Sequence, residues 1–178
     1  KGRLMTRTIT DKIDNITGMR EDQYTPIPPC PISVKIELTA RCNFACSFCA
    51  TANKLREKGD MDIDFYVGQL LPMLREAGVE EVGMFYLGES FLLPWLPDAI
   101  AEAKRQGFPY VFITTNGSAA EPDMVKACME AGLDSLKFSL NYADEKQFSE
   151  IARVKPALFD VMMDNIWNAA RIRDEGNY

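Results

Sequence analysis

Residues 32–49 read ISVKIELTARCNFACSFC, and this stretch decides the fold. Its first part, residues 32–38, alternates apolar and polar side chains and is rich in β-branched residues, which predicts a β-strand. Cys42, Cys46 and Cys49 follow at once, with three residues in the first gap between them and two in the second. Ligand-binding loops of parallel α/β folds follow the carboxyl ends of strands, so this arrangement predicts a metal centre at a strand end.

The spacing of these cysteines suits an iron–sulfur cluster. Three thiolates on one short loop can hold three irons of a 4Fe–4S cubane and leave the fourth iron open for chemistry. A zinc knuckle stays open as an alternative, although only Cys30 or Cys128 could add a ligand because the chain has no histidine. A thioredoxin-like redox pair of Cys46 and Cys49 is the other alternative. We expect Cys30 to have no role and Cys128 to be a buried apolar residue of a helix.

A unit of helix, glycine, short apolar strand and polar loop recurs three times after the cysteines. The copies read REAGVEEVGMFYLGES, KRQGFPYVFITTNG and MEAGLDSLKFSLNY. Gly78, Gly107 and Gly132 stand where a helix C-cap needs a left-handed backbone. The pattern predicts an α/β fold of successive parallel βα units, as in a barrel or a doubly wound sheet. The predicted strands cover residues 32–38, 79–87, 109–115 and 134–140.

Prolines predict where helices begin, bend and break. Pro72 lies inside the helical pattern DFYVGQLLPMLREAG, so we expect a kink there. Pro97 and Asp98 suit the first turn of the next helix. Pro156 should break the helical stretch that follows the fourth strand. Residues 1–31 end in a proline-rich run and are expected to form an N-terminal extension.

Polar residues follow the end of each later strand. Since parallel strands direct their carboxyl ends to one edge, we expect these residues to face the cysteine loop. Taken alone, Glu89 could equally be a solvated loop acid, the Asn-Gly pair at residues 116–117 a plain turn, and Arg41 either a support for the cluster or a solvated cation. The candidate site residues are Gly88, Glu89, Ser90, Thr114, Asn116, Ser139 and Asn141.

The cysteine loop resembles the signature of the radical S-adenosylmethionine (radical SAM) superfamily, including an aromatic residue, Phe48, just before the third cysteine. The resemblance runs from about residue 30 to about residue 170. It implies a partial (βα)6 barrel and a 4Fe–4S cluster whose open iron is chelated by S-adenosylmethionine. It also implies reductive cleavage of that cofactor to a 5′-deoxyadenosyl radical, which abstracts a hydrogen atom from the substrate.

The resemblance gives roles to the strand ends as well. Residues 87–90, LGES, stand where the family has a Gly-Gly-Glu run whose acid meets the methionine ammonium, although Leu87 replaces the first glycine. The TTNG run at 114–117 resembles the polar end of strand three. Ser139 and Asn141 resemble a motif that contacts the ribose and the methionine carboxylate. Phe48 is assigned to the cofactor site on the same basis.

The lead-in to the cysteines is most similar to members that carry auxiliary iron–sulfur clusters in C-terminal SPASM or twitch extensions. We therefore expect a peptide or small-molecule substrate and a reductant such as flavodoxin or ferredoxin. A non-catalytic electron-transfer or scaffolding module stays open as another class. A net charge of −6 argues against nucleic-acid binding. The lack of an apolar run of ~18 residues predicts a cytoplasmic protein without a membrane partner.

The number of predicted strands sets a further expectation. Four parallel strands followed only by helix would leave a sheet edge without partners, which natural sheets avoid. The family architecture adds two more βα units, so residues 32–178 are expected to form the N-terminal part of an incomplete barrel. On this interpretation the chain binds a cluster but turns over poorly on its own.

Overall fold

Parallel pairing of short strands organises the fold in this computed structural model, which describes residues 23, 25–50 and 57–178. The sheet has four strands in the order β1-β2-β3-β4, and every neighbouring pair is parallel. The predicted α/β class and the succession of βα units are therefore confirmed. The strands are β1 (Ser33–Lys35), β2 (Glu81–Gly83), β3 (Tyr110–Thr115) and β4 (Ser135–Phe138).

The first two strands are shorter than the sequence predicted. The backbone ladder continues for one residue past each of them, because Ile36 N–H donates to the Gly83 carbonyl at 2.7 Å and Met84 N–H to the Phe112 carbonyl at 2.9 Å. Beyond these bonds, the carboxylate of Glu37 replaces a backbone acceptor and binds the loop after β2. The Glu37 side chain thus replaces the backbone hydrogen bonds that the predicted strands at 32–38 and 79–87 would have formed there.

Helices connect consecutive strands as expected for parallel pairing. Between β1 and β2 the chain forms α1 (Ile63–Phe65), a π-helical turn (Tyr66–Leu70) and α2 (Leu71–Glu76). A short 3-10 helix (Ser90–Leu92) and α3 (Leu96–Arg105) precede β3, and α4 (Pro122–Glu130) precedes β4. After β4 come α5 (Glu145–Ala152) and α6 (Leu158–Gly176).

The distortion predicted at Pro72 takes the form of the π-helical turn. Leu71 N–H donates to the carbonyl of Tyr66, five residues earlier, so the helix widens just before the proline. Pro72 then lies in the first turn of α2, where its missing N–H costs no hydrogen bond. The buried hydroxyl of Tyr66 donates to the Ala99 carbonyl at 3.2 Å and ties this turn to α3.

The predicted helix boundaries are confirmed. Gly78, Gly107 and Gly132 have φ of 90°, 85° and 99°, the left-handed backbone expected after each helix. Pro97 lies in the first turn of α3, and Pro156 lies in the break between α5 and α6. Of the predicted N-terminal extension, residues 1–22 and 24 lie outside the described residues.

The main apolar core lies between the sheet and the helices. In β3, Val111, Ile113 and Thr115 are buried against the helices, while the alternating residues are half-buried on the other face. Cys128 of α4 is fully buried in this core, and burial raises the pKa of its thiol to about 12. Its predicted role as a small apolar residue is confirmed. No helix within the described residues is long and apolar enough to cross a membrane.

The opposite face of the sheet carries aromatic rings. Phe112 lies 5.6 Å from Phe85 with the rings tilted edge-on, and 5.6 Å from Tyr110 with the rings stacked. Gly83 makes room for them, since a Cβ there would lie 2.7 Å from the Phe112 ring. Lys35 of β1 lies over the Phe85 ring at 5.5 Å. This face therefore offers aromatic surface and positive charge.

The backbone at the end of α5 generates a stability prediction. Arg153 adopts a left-handed conformation, with φ 55° and ψ 48°, which costs a residue with a side chain about 1–2 kcal/mol. Arg153→Gly should raise the free energy of unfolding by roughly 0.5–1 kcal/mol, because glycine adopts this conformation freely but loses more entropy on folding. Chemical denaturation measures the change.

Arg171→Gly is the matched control, since Arg171 is exposed inside α6 with ordinary helical neighbours. It should lower the free energy of unfolding by about 1 kcal/mol. Equal destabilisation by the two substitutions would show that the left-handed backbone at Arg153 does not strain the protein.

Candidate functional site

The backbone of the cysteine loop is bound to the C-terminus of α5. Ala45 N–H donates to the Ala152 carbonyl at 3.0 Å, and Ser47 N–H donates to the Ile151 carbonyl at 2.8 Å. The last carbonyls of a helix lack partners within the helix, so they are available to a second segment. The loop is therefore held by a helix that lies about a hundred residues further along the chain. No local sequence pattern indicates this contact.

An apolar cluster supports the same loop from behind. Phe148 of α5 lies at its centre, with its ring edge-on to Phe44 at 5.5 Å and to Tyr142 at 4.9 Å. Cys42 and Cys46 pack against this cluster. The cluster therefore shields one side of the Cys42 and Cys46 thiols from water, while the loop remains partly exposed to solvent.

An ion pair closes the base of the loop. Arg41 donates from Nε and Nη2 to the two carboxylate oxygens of Asp60 at 2.8 and 2.7 Å, and Thr39 Oγ1 donates to the same carboxylate at 2.6 Å. The hydrogen bond from Arg41 holds the pKa of Asp60 below its usual value. Ala40 N–H also donates to the Gly59 carbonyl at 2.8 Å. The structure pairs Arg41 with Asp60, which is neither of the two roles left open for it.

The three predicted thiols lie together on the loop. Cys42, Cys46 and Cys49 are all half-buried, and Cys49 N–H donates to the Cys46 carbonyl at 3.0 Å. Burial raises the pKa of Cys42, and proximity to the charges of Glu89 and Cys49 adds to this rise. Burial also raises the pKa of Cys46, as do the charges of the other two thiols. The thiols are therefore close enough to influence one another.

The donor set fits a cubane cluster. In residues 25–50 and 57–178, no three His, Cys, Asp or Glu side chains converge closely enough to hold a single metal ion. A cubane makes a different demand, because each of its irons takes its own thiolate. Cys42, Cys46 and Cys49 could supply three such ligands from one anchored loop.

Glu89 lies buried between the ends of two strands, only 2% exposed. Its Oε1 accepts hydrogen bonds from Thr115 Oγ1 at 2.8 Å and Phe91 N–H at 3.1 Å, and its Oε2 accepts one from Asn116 N–H at 2.7 Å. Burial raises the pKa of this carboxyl, while the hydrogen bonds oppose the rise. Glu89 is thus an internal bridge between the β2 and β3 loops, not the solvated acid of the alternative interpretation.

The backbone next to Glu89 is packed against the start of the cysteine loop. Glu89 N–H donates to the Arg41 carbonyl at 2.8 Å. A Cβ on Gly88 would lie 1.8 Å from the Thr39 carbonyl oxygen, so only glycine fits. Glu37 holds the same turn from the other side, with Oε1 accepting from Leu87 N–H at 3.0 Å and Gly88 N–H at 3.1 Å. Sequence reasoning missed Glu37, which stands at a polar position of the predicted first strand.

Asn116 joins the third strand end to the cysteine loop. Its Nδ2 lies 3.9 Å from Cys42 Sγ and donates to Asn43 Oδ1 at 2.9 Å. Its Oδ1 accepts from Ser118 N–H at 2.9 Å, and Ser118 Oγ in turn accepts from Asn43 Nδ2 at 2.7 Å. Asn116 is therefore part of the candidate site and more than a turn residue.

The other candidate residues differ in their exposure and in their contacts with this site. Ser139 N–H donates to the Thr115 carbonyl at 2.8 Å, which holds the β4 loop beside the β3 loop. Asn141 is exposed, as is the Phe48 ring, which is 64% accessible. Ser90 is buried, and its hydroxyl donates to the Met84 carbonyl at 2.6 Å. Thr114 is half-buried on the face away from the helices.

Tyr142 is a further site residue that sequence reasoning missed. It directly follows the candidate Asn141, and its ring belongs to the apolar cluster against which Cys46 packs. Burial raises the pKa of this phenol above its ordinary value. In the sequence, only its position just after the predicted fourth strand indicated that it could lie near the site.

The sequence profile of the radical SAM superfamily matches residues 36–173, which covers the cysteine loop, the strands β2 to β4 and most of α6. The chain belongs to the radical SAM superfamily. This confirms the family predicted from the cysteine loop and its 4Fe–4S and S-adenosylmethionine cofactors, which the superfamily uses. Radical SAM relatives with enzyme names support the enzyme class as well.

Several curated radical SAM relatives have about the same degree of similarity. The chain is 31% identical over 144 residues to the tungsten-containing aldehyde ferredoxin oxidoreductase cofactor-modifying protein of Pyrococcus furiosus, covering 79% of this chain and 38% of that protein. It is 32% identical over 121 residues to GTP 3′,8-cyclase of Chlorobaculum tepidum, covering 67% and 36%. It is 33% identical over 135 residues to PqqA peptide cyclase of Xanthomonas oryzae pv. oryzae, covering 75% and 35%. The chain thus spans little more than a third of the length of each relative.

A solved structure shares the fold. The crystal structure of BtrN in complex with AdoMet and 2-DOIA matches with a TM-score of 0.55 at 20% identity, covering 72% of this chain and 54% of that chain. The arrangement of four parallel strands is consistent with part of a radical SAM barrel.

The contact between Gly88 and Thr39 generates a prediction. Gly88→Ala should lower the free energy of unfolding by roughly 3 kcal/mol, because the new Cβ meets a backbone carbonyl that cannot rotate away. It should also reduce the iron retained after reconstitution, since the cysteine loop starts at the displaced segment. Urea denaturation and iron analysis measure the two effects.

Gly68→Ala is the control, because a Cβ at Gly68 would have no atom within 4 Å. That change should alter stability by less than about 1 kcal/mol. Similar stability of the two variants would show that the loop after β2 has room at Gly88.

Proposed function

We propose that this chain binds a 4Fe–4S cluster and S-adenosylmethionine and generates a 5′-deoxyadenosyl radical that abstracts a hydrogen atom from an organic substrate. The observation that carries the proposal is one anchored loop with three half-buried thiols, next to the Glu89 bridge at the strand ends. Membership of the radical SAM superfamily supports it.

Each group of residues would have a distinct task. Cys42, Cys46 and Cys49 would hold three irons, and the open iron would take the cofactor. When bound, the cluster supplies the electron that breaks the S–C5′ bond of S-adenosylmethionine. The apolar cluster around Phe148 would exclude water from one side of the thiols.

Glu89 is the residue proposed for the methionine ammonium. An ionised carboxylate has about four acceptor sites, and internal donors occupy three of those of Glu89. One site on Oε2 remains, and a charge-assisted hydrogen bond from an ammonium would complete the set. Ser139 and Asn141 offer polar groups for the ribose and methionine carboxylate, and the exposed Phe48 ring offers an apolar surface.

We also propose that residues 32–178 are the N-terminal part of a larger barrel. In the described part of the chain, β4 pairs with β3 on one side only, so its other edge can accept a further parallel strand. The relatives include proteins named as a peptide cyclase and a nucleotide cyclase. A peptide or small metabolite is accordingly the proposed substrate, with flavodoxin or ferredoxin as reductant and auxiliary clusters in a further extension. We propose a cytoplasmic location.

Anaerobic reconstitution with iron and sulfide, reduction with dithionite and measurement of 5′-deoxyadenosine test the proposal. Cys46→Ala should lose the cluster and all 5′-deoxyadenosine formation, because the loop offers no replacement thiolate at the right spacing. Cys128→Ala should keep both, since its thiol lies inside the main core.

The outcomes separate the competing functions. Full iron, sulfide and paramagnetic signal in Cys46→Ala would show that the cluster assignment is wrong. A cluster without 5′-deoxyadenosine, both in this chain and in a longer form that completes the barrel, would favour a non-catalytic electron-transfer module. Zinc in place of iron in the purified protein would favour the zinc knuckle.

The ammonium contact gives a separate prediction. Glu89→Gln should weaken S-adenosylmethionine binding by roughly 1.5–3 kcal/mol, a ten- to hundredfold loss, because the amide keeps the shape but not the charge. Titration of the reconstituted variant measures the affinity, and its iron content should stay unchanged. Glu121→Gln, at an exposed acid before α4, is the control. Unchanged affinity in Glu89→Gln would leave Glu89 as a structural bridge only.

A further inference from the structure

We infer that the substrate carries an anionic group, a carboxylate or a phosphate, and that Lys35 and Lys137 bind it on the face of the sheet opposite the helices. This inference rests on the proposed function, because it assigns a charge to the organic substrate proposed above. It also adds two specificity-determining residues to the site.

The register of the strands puts both lysines on one face of the sheet. Lys35 is paired with Gly83, which is paired in turn with Phe112, and Lys137 is paired with Thr114. Paired residues of neighbouring strands point to the same side, and Phe112 and Thr114 share one side of β3 because side chains alternate along a strand. Both lysines therefore extend from the face that carries the aromatic rings.

The residues next to each lysine point the other way. Leu136 and Phe138, on either side of Lys137, pack against the main apolar core, whereas Lys137 is exposed. Ile36, which follows Lys35, is buried in the same core, and Lys35 is exposed. The two ammonium groups are thus available to a molecule that lies on this face.

Neither lysine has an acidic partner in residues 25–50 and 57–178, where no ion pair includes them. The Phe85 ring, over which Lys35 lies, attracts a cation but carries no net charge. Of the acids on this face, Glu81 stands at the amino end of β2, and Glu37 accepts from two backbone N–H groups of the β2 loop. Further strands would enclose this face, and an enclosed cation needs a counter-charge. An anionic substrate would supply it.

The same face leads to the cysteine loop. Thr114 lies two residues before Asn116, whose amide is 3.9 Å from Cys42 Sγ, and Lys137 lies two residues before Ser139. Because a strand rises ~3.3 Å per residue, Lys137 is ~7 Å from the strand end that Ser139 marks. Strands lie ~4.8 Å apart, so β1 and β4 are separated by ~14 Å across the sheet. A molecule held between the lysines would lie on the aromatic rings, beside the proposed origin of the radical.

Phenyl phosphate is the probe for this face, because it joins an anionic group to an aromatic ring. A ligand-observed NMR titration measures its affinity for the reconstituted chain with saturating S-adenosylmethionine, so that the open iron is occupied. Benzoate carries a carboxylate in place of the phosphate, and benzyl alcohol is the uncharged comparison. We expect both anions to bind, more weakly as the salt concentration rises, and benzyl alcohol to bind least.

Lys35→Gln and Lys137→Gln each remove one ammonium group and keep a polar side chain. Each should weaken phenyl phosphate binding roughly two- to fivefold, the size expected for an exposed charge pair, with unchanged iron content. Lys126→Gln is the matched control, since Lys126 is exposed on α4 and pairs with Glu130. It removes the same charge and should leave the affinity unchanged. Lys137→Arg keeps the charge and should retain most of the binding.

Acetylation of the unsubstituted chain keeps the inference testable where a variant does not fold. Acetic anhydride modifies exposed lysines, and mass spectrometry reports the extent at each position. Phenyl phosphate should slow the acetylation of Lys35 and Lys137 and leave that of Lys126 unchanged. Equal acetylation with and without the probe would overturn the inference. So would a longer form that protects both lysines fully without any probe, because a segment of the protein would then cover this face.

The binding data separate this inference from the proposed function. Unchanged affinity in both glutamine variants, in a chain that forms the cluster and 5′-deoxyadenosine, would overturn the inference alone. A loss of S-adenosylmethionine affinity in Lys137→Gln as large as its loss of probe affinity would also overturn it, since the lysine would then belong to the cofactor. Failure to form any cluster, with lysine-dependent binding of the probe retained, would overturn the proposed function and leave the anion site.

Discussion

The carboxylate of Glu89 lies where two parallel strands end, and three donors from the surrounding loops converge on it. Because it is buried, these hydrogen bonds form in a low dielectric, where leaving any of them unmade would be costly. They fix the β2 loop and the β3 loop relative to each other. Glu89 N–H fixes the start of the cysteine loop through the Arg41 carbonyl as well. The arrangement of the strand-end loops beside the thiols therefore depends on this buried carboxylate.

The features that the sequence predicted well are local ones. Left-handed glycines after helices, prolines in first turns and alternating strands all follow from conformational preferences of a few residues, and Gly78 and Pro97 illustrate this. Cys42, Cys46 and Cys49 could be found because their spacing lies within one loop. Cys128 could be assigned to the core from its helical surroundings.

The features that the sequence did not predict are contacts between distant segments. Nothing near Ala45 indicates that its N–H binds the end of α5, and nothing near Glu37 indicates that its carboxylate holds the Gly88 turn. Asp60 and Tyr142 likewise have partners that only the folded chain brings near. The first two strands were predicted too long for the same reason, since the carboxylate of Glu37 takes the place of the backbone ladder at their ends. Such pairings are set by tertiary packing rather than by local propensity.

The ion pair at the base of the cysteine loop bears on how loop length and loop position are related. Arg41, Asp60 and the Ala40 to Gly59 hydrogen bond join the two ends of the segment that holds the thiols. Once its ends are joined, a loop gains length at little entropic cost, about 0.6 kcal/mol for each doubling. The start of the thiol-bearing loop at Arg41 is therefore held in place whatever the length of chain that separates it from Asp60.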